Sequence, residues 1–492
     1  MPVSRRKAMH RGGAILGVLA ATVSLELFDE FARVPYRLAW ATAAFPDVQF
    51  DLSAFVPPAS TVDGVAVSLP PVFTGFVTAR LDRLPTKADQ GRMENALASI
   101  EANYPYTPAG VFTHVAYSDN YFARLPRTVV TAHMPRTLDG GQPVLKRAVA
   151  GPTDVAPGSR TLALRRPEFA VPLRLENNDI LFTVRADNAD HVNDVVKWLA
   201  GSNQLAGRQI GSPRFDAGMT FTSTRAMFVQ VGLPRSIADR ERLPFASFVN
   251  PFAPMWMGFA DQQVDASAPA PDVTFAGAHG IKLTTAEAGD YFDNGAIQHL
   301  SHVLLDLQQF YLDGDNQDEP AADHREQFSE RVQYMFQSPP SAEQDPQDPY
   351  RDGGGPRGTD SRGGILPNVF RGADYARSSA QQFGRVGHVS ALHRSGRTAD
   401  GRPVHLRIDG PGFDAMDTTS GHNAPKLQFS GFFPSADFFE DLRRNQASID
   451  LLDEFALDEE EHGLERFITT TRRQNFLMPP RRHRAFPLVE LA

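Results

Sequence analysis

The sequence predicts an α+β fold made of two related halves, each a split βαβ unit with an antiparallel sheet. In the first half, a strand pattern followed by a helical pattern occurs twice within about 200 residues. After residue 261 a strand followed by a helix recurs, which indicates a second half of related architecture. The 38 glycines and 38 prolines favour turns and short strands, and 492 residues are too many for one ordinary hydrophobic core.

The patterns of the first half alternate between strand and helix. In order, they are a strand at 72–85, a helix at 87–104, a strand at 110–125, a strand at 180–184, a helix capped at 188–190 and a strand at 226–234. The helices show apolar residues three and four positions apart, and Asn188 is a favourable N-cap for the second. This order is that of a ferredoxin-like unit, so we predict an N-terminal ferredoxin-like domain over residues 45–250.

The second half repeats the order with an insertion. Its patterns are an apolar element at 296–311, a strand at 401–410, a strand at 426–434 and a helix at 435–452. Residues 338–367 are rich in Pro, Gly and Asp and nearly free of large apolar residues, which predicts a mobile surface loop. We therefore predict a C-terminal ferredoxin-like domain over residues 251–492 and a duplicated ferredoxin-like fold for the chain.

The first 44 residues have the pattern of an export signal. Arg5, Arg6, Lys7 and Arg11 precede an uncharged run at 12–25, which is too short to span a bilayer comfortably. The stretch SRRKAM resembles a twin-arginine signal, so we expect export through the Tat machinery to the periplasm, the exterior or a membrane tether. The alternative is a basic start to a cytosolic protein, and cleavage of the leader stays open.

Composition excludes several classes of function. The chain has no cysteine, which rules out thiolate catalysis, iron–sulfur clusters, cysteine zinc sites and disulfides. The net charge of −9 argues against a general nucleic-acid binder, and we expect the basic segment 466–488 to dock on the protein's own acidic surface. No motif supports a hydrolase or a nucleotide-binding protein. Histidine, carboxylate and arginine must carry any chemistry.

One acid, Asp261, follows an apolar run in PMWMGFADQQV, residues 254–264. Its apolar neighbours would raise its pKa and suit it to accepting and returning a proton. The alternative is a turn in which the carboxylate bonds nearby backbone.

A histidine and an arginine form the other informative pair. His388 leads the stretch GHVSALHRSGR, and Arg407 follows nineteen residues later on a predicted strand. His393 and His405 compete with His388, and Arg407 has Asp409 and Asp414 nearby as ordinary surface partners.

Together these residues resemble the dye-decolourising (DyP-type) peroxidase family. Gly258, Phe259 and Asp261 in GFADQ match the family's G-x-x-D-G motif, except that Gln262 replaces the last glycine. The resemblance implies duplicated ferredoxin-like domains that hold haem b, with His388 as the axial iron ligand and with Gly258, Phe259 and Arg407 beside the haem. It assigns Asp261 as the proton shuttle and Arg407 as the group that stabilises developing negative charge.

The resemblance implies a peroxidase that reduces hydrogen peroxide and oxidises an organic reductant. The alternative is an exported protein of this fold that binds or scaffolds without catalysis, with or without haem. Nucleic acid is not expected as a partner, and a homo-oligomer is left open. A rival site places His299 and His302 on one face of a helix, where a metal would bind them with Asp306 or Asp293.

Overall fold

The computed structural model describes residues 45–56, 60–62, 65–67, 70–215, 218–251, 253–257, 267–312, 372–388, 398 and 402–492. The strands are β1 Ser60–Val62, β2 Val65–Val67, β3 Phe73–Leu81, β4 Phe112–Tyr117, β5 Arg174–Leu175, β6 Ile180–Ala186, β7 Gln204–Leu205, β8 Arg208–Gln209, β9 Met219–Phe228, β10 Ala296–Leu305, β11 Leu406–Arg407, β12 Gly410–Asp414, β13 Ala424–Phe433 and β14 Ile468–Met478. The α-helices are α1 Lys87–Asn103, α2 Asp119–Phe122, α3 Arg127–His133, α4 Ala189–Leu199, α5 Leu233–Arg240, α6 Leu307–Leu312, α7 Gly372–Phe383, α8 Ala436–Ala447 and α9 Ile449–Phe455.

The strand order confirms the duplicated ferredoxin-like fold. One sheet runs through both halves in the order β11-β13-β10-β14-β4-β6-β3-β9. The first half contributes β3, β4, β6 and β9 in chain order, and β3 lies between β6 and β9 in the sheet. Helices α1 and α4 connect these strands as in a split βαβ unit. The second half has the same spatial order, with α8 between β13 and β14. The halves meet where Leu477 of β14 pairs with Tyr117 of β4.

Local signals explain the helices of the first half. Thr86 is the N-cap of α1, and its side chain accepts a hydrogen bond from the Asp89 N–H. The Thr86 N–H in turn donates to the Asp89 carboxylate, which completes a capping box. Helix α4 packs through Val192 onto β3 at Gly75, where a Cβ atom would lie 2.9 Å from a Val192 methyl carbon. The glycine therefore lets the helix approach the sheet.

The sheet curls into a nearly closed barrel. Strand β12, which pairs with β13 at one edge, lies against β9 at the other edge. A Cβ atom on Gly410 would come within 2.7 Å of Val229, and one on Gly412 within 2.9 Å of the Ala226 carbonyl oxygen. These two glycines permit the close approach of backbone that closes the barrel.

Both halves contribute to the core inside the barrel. Its buried members include Phe76, Ala116, Leu181 and Met227 from the first half and Ala296, Leu300, Phe432, Phe476 and Met478 from the second. Phe50 covers one side of this core by stacking on Phe432, with ring centroids 4.3 Å apart. Burial of this shared apolar surface couples the stability of the two halves.

The apolar element at 296–311 begins with strand β10, which corrects the helix assumed for the rival metal site. His299 and His302 lie on this strand, where residues three apart point to opposite faces. His299 pairs with Gly431, whereas His302 pairs with Gln428. The rival metal site on one helical face is therefore wrong, and within the described ranges no group of three or more His, Asp or Glu side chains is arranged to hold a metal.

Other predicted elements differ in extent. The strand predicted at 110–125 ends at Tyr117 and is followed by α2. The strand predicted at 226–234 begins earlier, at Met219, and ends at Phe228. The strand predicted at 401–410 is reduced to the two residues of β11, followed by β12. The helix predicted at 435–452 is divided into α8 and α9 at Ser448, whose φ is +45°.

The basic C-terminal segment docks on the protein itself, as predicted. Strand β14 is buried in the sheet, and beyond it Arg484 and Arg481 both bind Glu101 of α1, while Arg484 also binds Glu94. The leader 1–44, the insertion 338–367 and the competitor His393 lie outside the described residues. Among the residues described, no helix is long and apolar enough to cross a membrane.

Substitutions in the shared core test the coupling of the halves. We expect Leu181→Ala and Leu300→Ala each to lower the free energy of unfolding by about 2–5 kcal/mol, because each leaves a cavity at a site with no exposed surface. Denaturant titration followed by circular dichroism and fluorescence should show one shared transition in both variants. Leu175→Ala, at a side chain that is 41% exposed, is the control and should change little. Two separate transitions would contradict a shared core.

Candidate functional site

Only part of the predicted site lies among the described residues. Gly258, Phe259 and Asp261 lie outside them, so their placement stays a prediction. His388 and Arg407 are described, and both lie in the second half of the fold.

Arg407 lies on the face of the sheet that α8 covers. It pairs with Gly431 of β13, which pairs with His299 of β10, which in turn pairs with Asn475 of β14. Residues directly opposite one another in antiparallel strands share a face. The neighbouring Leu406 packs against the core inside the barrel, as the alternation of side chains along a strand requires.

Helix α8 lies over this row of residues and extends towards His388. Phe439, in its first half, stacks on the His299 ring with centroids 3.4 Å apart. Gln446, near its C-terminal end, has its side-chain nitrogen 3.2 Å from Nδ1 of His388. One helix therefore contacts both the covered sheet face and the predicted axial histidine.

A second segment of the backbone holds the loop before His388. Val386 forms a parallel bridge with His462, and the Val386 N–H donates to the Glu461 carbonyl oxygen at 3.0 Å. The Gly463 N–H donates to the Val386 carbonyl oxygen at 2.8 Å. These bonds bring His388 close to the chain that leads to Glu465.

A buried ion pair anchors this arrangement. Arg443 of α8 binds Glu465 through both terminal nitrogens, at 3.1 and 3.0 Å, and Thr153 donates its hydroxyl to the same carboxylate. Arg443 also donates to the Gln446 side-chain oxygen at 2.7 Å. Burial alone would raise the pKa of Glu465, but the Arg443 guanidinium outweighs it and lowers that pKa to about 2.

His388 is neutral at physiological pH. Removal of its ring from water lowers its pKa to about 4; Glu465 opposes this shift, and Arg443 reinforces it. Because Arg443 occupies the Gln446 oxygen, the Gln446 amide group donates to Nδ1 of His388. The arrangement therefore stabilises the tautomer that carries its proton on Nε2.

Three other buried histidines, all in the second half, have structural partners. His299 contacts the Asn475 side-chain oxygen through Nδ1 at 2.6 Å and the Ser301 hydroxyl through Nε2 at 2.7 Å. His302 contacts Gln428, and His405 stacks on Phe433. Burial lowers the pKa of His299 well below its ordinary value. These histidines are satisfied core residues.

Three residues of the site, Arg443, Gln446 and Glu465, were missed by the sequence analysis. Arg443 and Gln446 are three positions apart on a predicted helix, a spacing that places them side by side. The neighbouring sequence does not indicate that Glu465 and His388 are their partners. Their roles depend on contacts between segments that are distant in sequence.

The buried pair makes a testable contribution to stability. We expect Glu465→Gln to lower the free energy of unfolding at pH 7 by about 3–5 kcal/mol, because Arg443 stays charged and buried. The folded-state pKa of Glu465 is below its ordinary value of 4.5, so this carboxylate stabilises the wild type above about pH 4.5 and ceases to do so as pH falls towards 2. The variant should lose less stability over that range.

Denaturant titrations between pH 2 and pH 7 measure both effects. The control is Glu454→Gln, which removes an exposed partner of Arg377 and should cost less than about 1 kcal/mol. A Glu465→Gln variant as stable as this control at pH 7 would show that the pair is not structural.

Solved structures of DyP-type peroxidases are similar to the chain. That from Cellulomonas bogoriensis is 13% identical with a TM-score of 0.46, and the match covers 89% of this chain and 96% of that one. A variant of Rhodococcus jostii DypB in complex with haem is 11% identical with a TM-score of 0.45, covering 87% and 96%. The encapsulated enzyme of Mycobacterium smegmatis is 13% identical with a TM-score of 0.42, covering 86% and 96%. A comparison with curated proteins finds no match.

Comparison with models of protein families gives one match. It covers residues 159–480, which is more than half of the chain and includes His388, Arg407, Arg443, Gln446 and Glu465. The chain therefore belongs to DUF7405, a family of unknown function.

Proposed function

We propose that the chain is an exported, haem-dependent peroxidase that reduces hydrogen peroxide and oxidises an organic donor. The observation that carries the proposal is a neutral imidazole, His388, held by a buried network beside the same helix that covers the face bearing Arg407. The motif around Asp261 adds a carboxylate whose sequence neighbours are apolar. Export rests on the twin-arginine-like leader.

The charge state of His388 fits that of a haem ligand. Iron binds a neutral imidazole, and a pKa of about 4 keeps His388 neutral over the physiological range. Gln446 engages Nδ1, so Nε2 is the nitrogen that would coordinate the iron. Coordination through Nε2 requires its proton to move to Nδ1.

The Gln446 side chain can accept a hydrogen bond from a proton on Nδ1 of His388. A glutamine amide carries both a donor and an acceptor, and turning it over would present its oxygen to Nδ1–H of His388. The turn would give up the bond from Arg443 to the Gln446 oxygen, while Arg443 would keep its two bonds to Glu465. The buried pair therefore holds the helix in place while the amide reorients.

Two further residues would act on the peroxide. A haem held by His388 would supply the electrons for cleavage of the O–O bond. Asp261 would take the proton from one peroxide oxygen and return it to the other. The Arg407 guanidinium, permanently charged, would stabilise the negative charge that develops on the departing oxygen.

One observation favours the second candidate, a binding protein of this fold without catalysis. In the described structure the Gln446 amide donates to His388, whereas an axial histidine ordinarily donates from Nδ1 to an acceptor. The replacement of a motif glycine by Gln262 points in the same direction. The two candidates differ in whether a bound haem reacts with peroxide, because the second candidate is a protein with or without haem.

Substitution of the axial residue tests the ligand assignment. We expect His388→Ala to lose the Soret absorption that the unmodified chain shows after reconstitution with haem, because no other ligand is assigned to the iron. His422→Ala, at an exposed histidine, is the matched control and should keep the band. Absorption spectra and haem-to-protein ratios after gel filtration provide the measurement. Full haem retention by His388→Ala would remove His388 from the site.

Substitution of Gln446 tests its positioning role. We expect Gln446→Leu to weaken haem binding about 10–100-fold, because the leucine cannot accept from Nδ1–H, whereas Gln446→Glu should retain haem at least as well as the wild type. The resonance Raman frequency of the iron–histidine bond should rise in the glutamate variant, since a carboxylate makes the imidazole more basic. Equal affinity and equal frequency in all three proteins would contradict contact between Gln446 and the axial ligand.

A further inference from the structure

A positively charged group lies inside the barrel without a carboxylate partner. Arg185 of β6 is 3% exposed, and among the described residues no carboxylate lies within ion-pair distance of it. Its Nε donates to the Thr74 hydroxyl at 3.3 Å, and its Nη2 has no hydrogen-bond partner. Burial lowers the pKa of Arg185 to about 10, which still leaves it charged at neutral pH.

A second polar side chain without partners lies next to it. His114 of β4 has no exposed surface, and neither of its ring nitrogens has a hydrogen-bond partner. His114 pairs with Thr183, and Arg185 follows Thr183 by two positions on the same strand. The two side chains are therefore diagonal neighbours on the inner face of the barrel, alongside Ala116 and Leu181 of its core.

The surrounding charged groups do not neutralise the positive charge of Arg185. Besides Arg185, Arg481 also acts electrostatically on His114, but Arg481 is bound to Glu101 and to the Tyr106 hydroxyl. Asp187 acts on Arg185 only from beyond ion-pair distance, and its carboxylate accepts from the Val72 N–H. An unpaired buried charge and unpaired buried donors are both costly, so a group that satisfies both is strongly favoured there.

We propose that a small monovalent anion such as chloride binds inside the barrel between the Arg185 guanidinium and the His114 ring. The single positive charge of Arg185 is neutralised by the single negative charge of a monovalent anion. Arg185 Nη2 and one N–H of neutral His114 supply two donors, and an anion accepts from both. The site lies on the inner face of the first half, apart from His388 and from the face that bears Arg407. It serves the stability of the barrel, independently of any haem.

The probe is bromide, which scatters X-rays anomalously and has the charge and nearly the size of chloride. Crystals of the full chain grown or soaked in sodium bromide should show an anomalous peak within hydrogen-bond distance of Arg185 and His114. Bromide only on the outer surface, with water between these two side chains, would overturn the proposal. This measurement needs no variant, so it stands even if a substitution prevents folding.

Thermal stability gives a second, independent readout. At constant ionic strength balanced with sodium gluconate, whose anion is too large for the site, raising bromide from 1 to 100 mM should raise the Tm by about 2 °C for a dissociation constant of about 1 mM. Arg185→Met removes the charge and should abolish this dependence, whereas Arg185→Lys should retain part of it. Arg174→Met, at an exposed arginine of β5, is the control and should respond like the wild type. Equal bromide dependence in the Arg185→Met variant would contradict the assignment.

Discussion

The buried ion pair between Arg443 and Glu465 is the interaction on which the candidate site depends. It joins α8 to the segment that precedes β14, and the same arginine orients the Gln446 amide next to His388. Two charges removed from water are stable together only when their hydrogen bonds are made, and here Thr153 completes the set from the first half of the chain. The Arg443–Glu465 pair therefore determines the position of α8, the tautomer of His388 and the contact between distant segments.

The sheet of the second half separates two environments by its two faces. His299 and Arg407 lie on the face that α8 covers, where Phe439 of α8 stacks on the His299 ring. His302 and Leu300 lie on the other face, inside the barrel, where His302 contacts Gln428 and Leu300 packs with residues of the first half. In the proposed function the chemistry lies on the covered face, whereas the apolar core that both halves share lies on the opposite face.

Much of the fold was predictable because its strands and helices carry strong local patterns. Helices α1 and α4 have apolar residues at helical spacing and favourable caps, and their strands are apolar runs bounded by turn residues. Strand β10 was mistaken for a helix because it is buried on both faces, so its residues do not alternate, and Leu300, Val303 and Leu304 also satisfy helical spacing. A buried strand and a buried helix are hard to tell apart by periodicity alone.

The candidate site was predictable only in its chemically distinctive residues. His388 and Arg407 stood out by type and spacing, and the structure places both in the second half near α8. The sequence analysis missed Gln446, Arg443 and Glu465, because their importance arises from contacts across the fold. Asp261 lies outside the described residues. Arg185 and His114 were missed because each looks ordinary within a strand; only the folded barrel leaves them together without partners.

The most direct test of the central claim is the absorption spectrum of the purified full chain after reconstitution with haem, before and after addition of hydrogen peroxide. The account predicts a Soret band that remains with the protein on gel filtration, shifts when peroxide is added and returns when an organic electron donor follows. A chain that retains no haem, or a retained haem whose spectrum is unchanged by peroxide, would contradict the peroxidase assignment and leave a binding protein of the same fold.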